Sequence, residues 1–181
     1  MAPTNILVIG PPRSGKSTLI ERATRKIQAP MTGFFTREIR ESGRRVGFSI
    51  ATLDGKTGVL AHRKIRSRFR VGPYGVNLQA MDQIAVPSMQ PSAPEETIIV
   101  DEIGKMECFS PLFRKSLIEV LGSKHQVIGS IAIKGNNFIQ DIKKRDDVLL
   151  IAISESNRDS ALELLLAKIS SSIRETVRLQ T

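Results

Sequence analysis

The residues Gly10-Pro11-Pro12-Arg13-Ser14-Gly15-Lys16-Ser17 fill every fixed position of the pattern G-x-x-x-x-G-K-[ST]. The pattern has a chemical purpose. A chain of phosphates is wrapped by successive backbone N–H groups, so the loop needs residues that allow unusual dihedrals and close approach, here Gly10 and Gly15. A helix beginning near Lys16 would add its positive N-terminal end beneath the anion. Lys16 is then the group that reaches the β- and γ-phosphates, and the Ser17 hydroxyl is suited to Mg²⁺. Ile6–Ile9, an apolar run just before the loop, reads as the buried strand such a loop requires.

A second cluster of chemistry lies at 97–105. Thr97–Asp101 (TIIVD) is an apolar run that closes in Asp, the Walker B pattern, in which a carboxylate at a strand's C-terminal end completes a Mg²⁺ shell with the loop Ser or Thr. Ligands of open α/β sheets bind at the carboxyl ends of strands, so Ser17 and Asp101 are expected to meet. Glu102 is a second carboxylate beside the metal ligand, placed to orient and deprotonate an attacking water. The chain lacks the Asn-Lys-x-Asp base-reading element of switch GTPases, and the Asp-Glu doublet favours hydrolysis of the ATPase kind. Lys105 reads equally as a charge stabiliser or a surface lysine. Among the arginines, Arg13, Arg44 and Arg45 are further candidates for transition-state charge, although a charged hairpin tip accounts for the last two. Cys108, in an apolar context, reads as packing.

The elements that must hold these residues follow from periodicity. Leu19, Ile20, Ala23 and Ile27 recur at helical spacing after the loop, and Pro30 stops that helix. Three short β-like runs, Gly33–Ile39, Val46–Leu53 and Gly58–Ala61, are separated by Ser42-Gly43 and Asp54-Gly55, which predicts antiparallel hairpins. The basic run His62–Arg70 leads into a Gly-Pro loop at RVGPYGVN and reads as a solvated face or an anion-facing lid. A weak helix over Asn77–Ile84 precedes Val86–Glu95, whose prolines predict an exposed connector. Ser110-Pro111 caps a helix that carries Leu112, Phe113, Leu117, Ile118 and Leu121 and ends at Gly122. Gln126–Ile133 and Val148–Ile153 are two more buried strands, with a short basic helix over Phe138–Arg145 between them. Ser156 is expected to cap a last helix through about Leu179, with Leu162, Leu165, Leu166, Ile169 and Ile173 on its apolar face. Strands alternating with helices predict a three-layer α/β fold with a mainly parallel sheet, and residues 33–61 an antiparallel β-hairpin addition within one domain over 1–181.

Composition bounds the rest. The chain has 181 residues, 40% of them hydrophobic and 25% charged, which is ordinary globular usage. No apolar run reaches the roughly 18 residues of a membrane span. The start MAPTNILVIG lacks a basic n-region, so no signal peptide is expected. A single cysteine excludes an intramolecular disulfide and a Cys-rich zinc site, and a cytoplasmic location fits. Lys and Arg outnumber Asp and Glu 27 to 18, a net charge of +9 that suits polyanions. Aromatics are only 4%, with no Trp, so stacking platforms are scarce and nucleic acid is not favoured as the main partner.

GPPRSGKSTL, GFFTREIRESGRRVGF, RVGPYGVN, DEIGKME and ISESNRD, in this order, resemble the THEP1 family of nucleoside triphosphatases over most of the chain, to about residue 165. The resemblance implies a RecA-like phosphate-loop core and Mg²⁺-dependent hydrolysis of ATP, GTP, CTP and UTP to diphosphate and phosphate, with loose base selectivity. It also implies nucleotide-binding segments at Gly10–Ser17 and at Ile98-Ile99-Val100-Asp101-Glu102-Ile103-Gly104-Lys105. The same cradle would serve a nucleotide or small-molecule kinase, and the charge a nucleotide-dependent RNA- or DNA-binding protein. Any dedicated base pocket is expected near Ser154–Arg158.

Overall fold

Nine strands form one sheet in the order β5-β6-β4-β3-β2-β7-β8-β1-β9 in the computed structural model, which describes residues 5–178. The strands are β1 (Asn5–Ile9), β2 (Met31–Glu41), β3 (Arg44–Thr52), β4 (Thr57–His62), β5 (Arg70–Val71), β6 (Tyr74–Val76), β7 (Thr97–Ile103), β8 (Val127–Ile131) and β9 (Val148–Ala152). The run β2-β7-β8-β1-β9 is parallel, and β3, β4, β6 and β5 continue it antiparallel. The helices are α1 (Lys16–Thr24), α2 (Leu78–Ala80), α3 (Val86–Ser88), α4 (Pro111–Leu121), α5 (Asn137–Lys143) and α6 (Arg158–Arg178).

Strand alternation divides the core into two layers of contact. Ile6 and Val8 of β1, with Ile99 of β7, pack against Leu19, Ile20 and Ala23 of α1 and Leu162, Leu165 and Ile169 of α6. Leu7, Ile98 and Val100 face the other way, onto Phe113 and Leu117 of α4, Ile139 and Ile142 of α5, and Met81, Ala85 and Met89. A parallel sheet buried on both faces needs such near-continuous apolar strands, which is why β1, β7 and β8 contain so few polar side chains. This is the three-layer α/β arrangement that the alternation of strands and helices predicts.

Several local expectations change. Residues 33–61 are not simply attached: Met31–Phe35 of β2 pair in parallel with Thr97–Asp101, while Phe34–Glu41 pair antiparallel with β3, so Phe34 and Phe35 pair with both neighbours. RVGPYGVN is a hairpin rather than a loop, since β5 and β6 pair and Tyr74 and Val76 are buried. Val86–Glu95 begins as helix, with Val86 and Met89 buried. A π turn at Met81–Ala85 joins α2 to α3, and Pro87 follows it within α3. On α4, Ser110 accepts from the Phe113 N–H as a cap and Gly122 ends the helix, but Leu112 and Ile118 are exposed. The first helical hydrogen bond of α6 runs to the carbonyl of Asn157, not Ser156. Leu179 and the side chain of Ile173 lie outside the described residues.

Candidate nucleotide site

The loop between β1 and α1 has the shape its residues predict. Gly15 has φ +98°, in the left-handed region that costs glycine least, and immediately precedes α1. A Cβ at Gly10 would collide with the Ile153 carbonyl and lie 2.7 Å from the Ser14 hydroxyl. Arg13 also has a positive φ of 65°, unusual for a side chain of this size. Lys16 Nζ crosses the loop to the carbonyls of Gly10 and Pro11, at 3.2 and 3.3 Å. Pro11, Pro12 and Arg13 are exposed, whereas Ser14 is buried.

Strand β8 lies between the parallel strands β1 and β7, so the loop and the carboxyl end of β7 lie at the same end of the sheet. Asp101 is fully buried there. Its Oδ1 accepts from the Ser130 hydroxyl on β8, and its Oδ2 has no hydrogen-bond partner. Burial pushes the Asp101 carboxyl up to about 6, opposed by the Ser130 and Ser17 hydroxyls, with Glu102 raising it further and Lys16 lowering it. Asp101, Ser17 and Lys16 therefore converge, as the two motifs predict. The peptide bond joining Asp101 to Glu102 is cis.

The rest of 98–105 divides by exposure. Ile98, Ile99 and Val100 are wholly inside the two cores and position the strand. Ile103 and Gly104 are buried, Glu102 is half-buried and Lys105 exposed. Of the candidate arginines, Arg45 is committed elsewhere: it donates to the Tyr74 hydroxyl at 3.1 Å and pairs with Glu38 at 2.8 Å. Arg44 is exposed at the β2–β3 turn. Burial pushes the Cys108 thiol up to about 12, so it is an inert packing residue.

Sequence reasoning missed two residues, Ser130 and Glu107, and named Arg158 only as the end of the segment Ser154–Arg158. Ser130 lay inside an apolar run with no signal of its own. Glu107 is a buried carboxyl, driven up to about 8 by burial and by the charges of Glu102 and Asp101. The signal available was a second Glu in DEIGKME, yet its burial depends on a short 3₁₀ turn at Glu107–Phe109. Arg158 opens α6, and its Nε donates to the Ser14 carbonyl at 2.9 Å. With Arg13, Gly15, Thr18, Leu19, Arg22 and Ile153 it lines a cavity of about 220 Å³ beside the phosphate loop. This cavity lies at the end of Ser154–Arg158, where a base pocket is expected.

Comparison with known proteins gives the family. A family model described as NTPase matches residues 5–166. The nucleoside-triphosphatase THEP1 of Thermotoga sp. (strain RQ2) is 42% identical over 163 residues, covering 90% of this chain and 93% of that protein. The human cancer-related nucleoside-triphosphatase is 34% identical over 185 residues, covering 93% and 97%. The crystal structure of THEP1 from Aquifex aeolicus superposes with a TM-score of 0.82 at 30% identity, over 91% of this chain and 98% of that one. By sequence over nearly its whole length, and by a fold shared with a solved THEP1 structure, this chain belongs to the THEP1 family of nucleoside triphosphatases.

Proposed function

We propose that this protein hydrolyses nucleoside triphosphates to diphosphate and phosphate with Mg²⁺, accepting all four common bases. The observation that carries this reading is the convergence of Lys16, Ser17 and a buried Asp101 at the carboxyl end of the parallel strands. Gly10–Ser17 wraps the phosphates with backbone N–H groups, and Lys16 exchanges the loop carbonyls for phosphate oxygens. The donor set fits Mg²⁺: Asp101 Oδ2 is buried without a partner, and the Ser17 hydroxyl supplies a second hard oxygen. When bound, the ion neutralises charge developing on the phosphate oxygens. Glu102, half-buried beside Asp101, orients the attacking water and takes its proton.

The cavity beside the loop supports base tolerance. Guanidinium groups of Arg13, Arg22 and Arg158, with Leu19 and Ile153, offer flat and apolar surfaces, and no Asn or Gln amide lines it to read a base edge. A guanidinium plane stacks on any nucleobase. We therefore expect ATP, GTP, CTP and UTP to be turned over within about tenfold, roughly 1.4 kcal/mol of discrimination. Phosphate release from each NTP, with and without Mg²⁺ and with no added acceptor, tests the reading. Release that depends on Mg²⁺ for all four supports it. Release that requires a small-molecule acceptor would make the protein a kinase, and a thousandfold preference for one base would refute the tolerance.

A further inference from the structure

Ser130 is a wholly buried hydroxyl in β8, among Val127, Ile128 and Ile131. Burying such a group costs free energy unless a hydrogen bond compensates. Here the hydroxyl donates to Asp101 Oδ1 on β7. The register of the two strands shows how they meet. Gly129 lies opposite Val100 and Ile131 opposite Ile103, so the single residue Ser130 faces two, Asp101 and Glu102. Such a bulge re-aims the side chains beside it. On its other side Ser130 pairs with Val8, two residues before Gly10 of the phosphate loop. Alternation sets Ser130 on the face of Ile128, and Asp101 on the face of Ile99. Both isoleucines pack in the layer that holds Leu19 and Ile20 of α1. The Ser130–Asp101 contact therefore lies on the side of the sheet covered by α1, whose second residue is Ser17.

The two oxygens of Asp101 have different surroundings. Oδ1 is taken by Ser130, whereas Oδ2 is buried without a hydrogen-bond partner. The last torsion of an aspartate is broad, with no sharp minimum of its own, so a carboxylate is oriented by whatever holds one of its oxygens. We propose that Ser130 is a positioning residue acting through Asp101: its hydroxyl holds Oδ1 and so reserves Oδ2 for the ion that Ser17 also ligates. This rests on the reading that Asp101 and Ser17 hold Mg²⁺. In this role Ser130 itself contacts neither ion nor nucleotide. Outer partners of this kind orient metal ligands, and their loss typically costs about 10- to 100-fold in metal affinity. An apolar residue at 130 would complete the core equally well but leave the carboxylate to turn.

The test is equilibrium binding of the β,γ-imido analogue of ATP to the full chain, titrated with Mg²⁺ and repeated in EDTA, for the parent, S130A, D101N and D101N/S130A. No hydrolysis is involved, so the readout is the metal's contribution to binding. S130A is expected to raise the half-saturating Mg²⁺ concentration about 10- to 100-fold. In EDTA its affinity for the analogue is expected to stay within about threefold of the parent, which a merely structural role would not spare. In the D101N background, S130A is expected to add no more than about threefold, because its effect passes through the side chain already disabled. A parental Mg²⁺ requirement in S130A, an equal loss of affinity with and without Mg²⁺, or a loss that persists undiminished in the D101N background each overturns the proposal. Should S130A fail to fold, S130C, which keeps the volume and only a weak donor, is measured in the same way against the same outcomes. If D101N binds the analogue with the parent's Mg²⁺ dependence, the metal reading has failed and this inference with it. A weakened D101N beside a parental S130A refutes only the inference.

Discussion

Arg158 Nε donates to the carbonyl of Ser14 at 2.9 Å, joining the first residue of α6 to the middle of the phosphate loop across 144 positions of sequence. The contact is reinforced beside it by Arg22 of α1, which pairs with Asp159 at 3.3 Å. The Arg158 Nε lies 3.3 Å from where a Cβ on Gly15 would stand, so a side chain there would crowd the guanidinium as well as strain the positive φ.

Arg158→Ala should therefore weaken nucleotide binding. A guanidinium stacked on a base contributes about 0.5–2 kcal/mol, so Kd should rise roughly 2- to 30-fold. The increase should be similar for ATP, GTP, CTP and UTP, since the group contributes a plane and a loop contact rather than an edge-specific bond. Equilibrium titration of each Mg²⁺–NTP checks this, and an effect confined to one base would show that Arg158 reads the base itself.

Lys16→Ala and Asp101→Asn should fail differently. The first removes the ammonium that now lies across the Gly10 and Pro11 carbonyls, so both binding and turnover should collapse at any Mg²⁺ concentration. The second keeps the shape and the Ser130 contact but removes a charge from the buried carboxyl. Its turnover should recover in part at high Mg²⁺ concentration, with the half-saturating concentration raised at least tenfold. Magnesium titrations of hydrolysis by both variants distinguish the two behaviours.

Stability should fall as pH rises from 6 to 8. The ordinary carboxyl value of Glu107 is 4.5, and burial beside Glu102 raises it to about 8 in the folded state. Between those values the folded chain binds the proton and the unfolded chain has lost it, so unfolding releases that proton and becomes easier as pH rises. The slope is at most about 1.4 kcal/mol per pH unit while Glu107 alone titrates, and it levels off above pH 8. Asp101, raised to about 6, adds a slope of the same sign only at lower pH. Urea unfolding at pH 6, 7, 8 and 9 should show this decline for the parent, and a flatter line for Glu107→Gln.

Much of the site was legible because it is written in contiguous residues. Gly10–Ser17 needs only its own backbone and the start of α1 to form a cradle, and an apolar run ending in Asp101 needs only a buried parallel strand. The capped helix at Ser110-Pro111 is local in the same way. The alternation of apolar runs and helical periods likewise determined the layered α/β class, because those patterns reflect burial face by face. Tertiary structure alone decided what depends on distant segments meeting. That β2 serves both the parallel sheet and the hairpin follows from its pairing with β7, more than sixty residues away. Ser130 acquires a role only because β8 inserts between β1 and β7. Glu107 becomes a buried acid only when its turn folds beneath Gly104, and Arg158 reaches Ser14 only when α6 packs beside α1. Short-range periodicity carries no record of such meetings, since the free energy that selects them comes from burying surfaces contributed by separate parts of the chain.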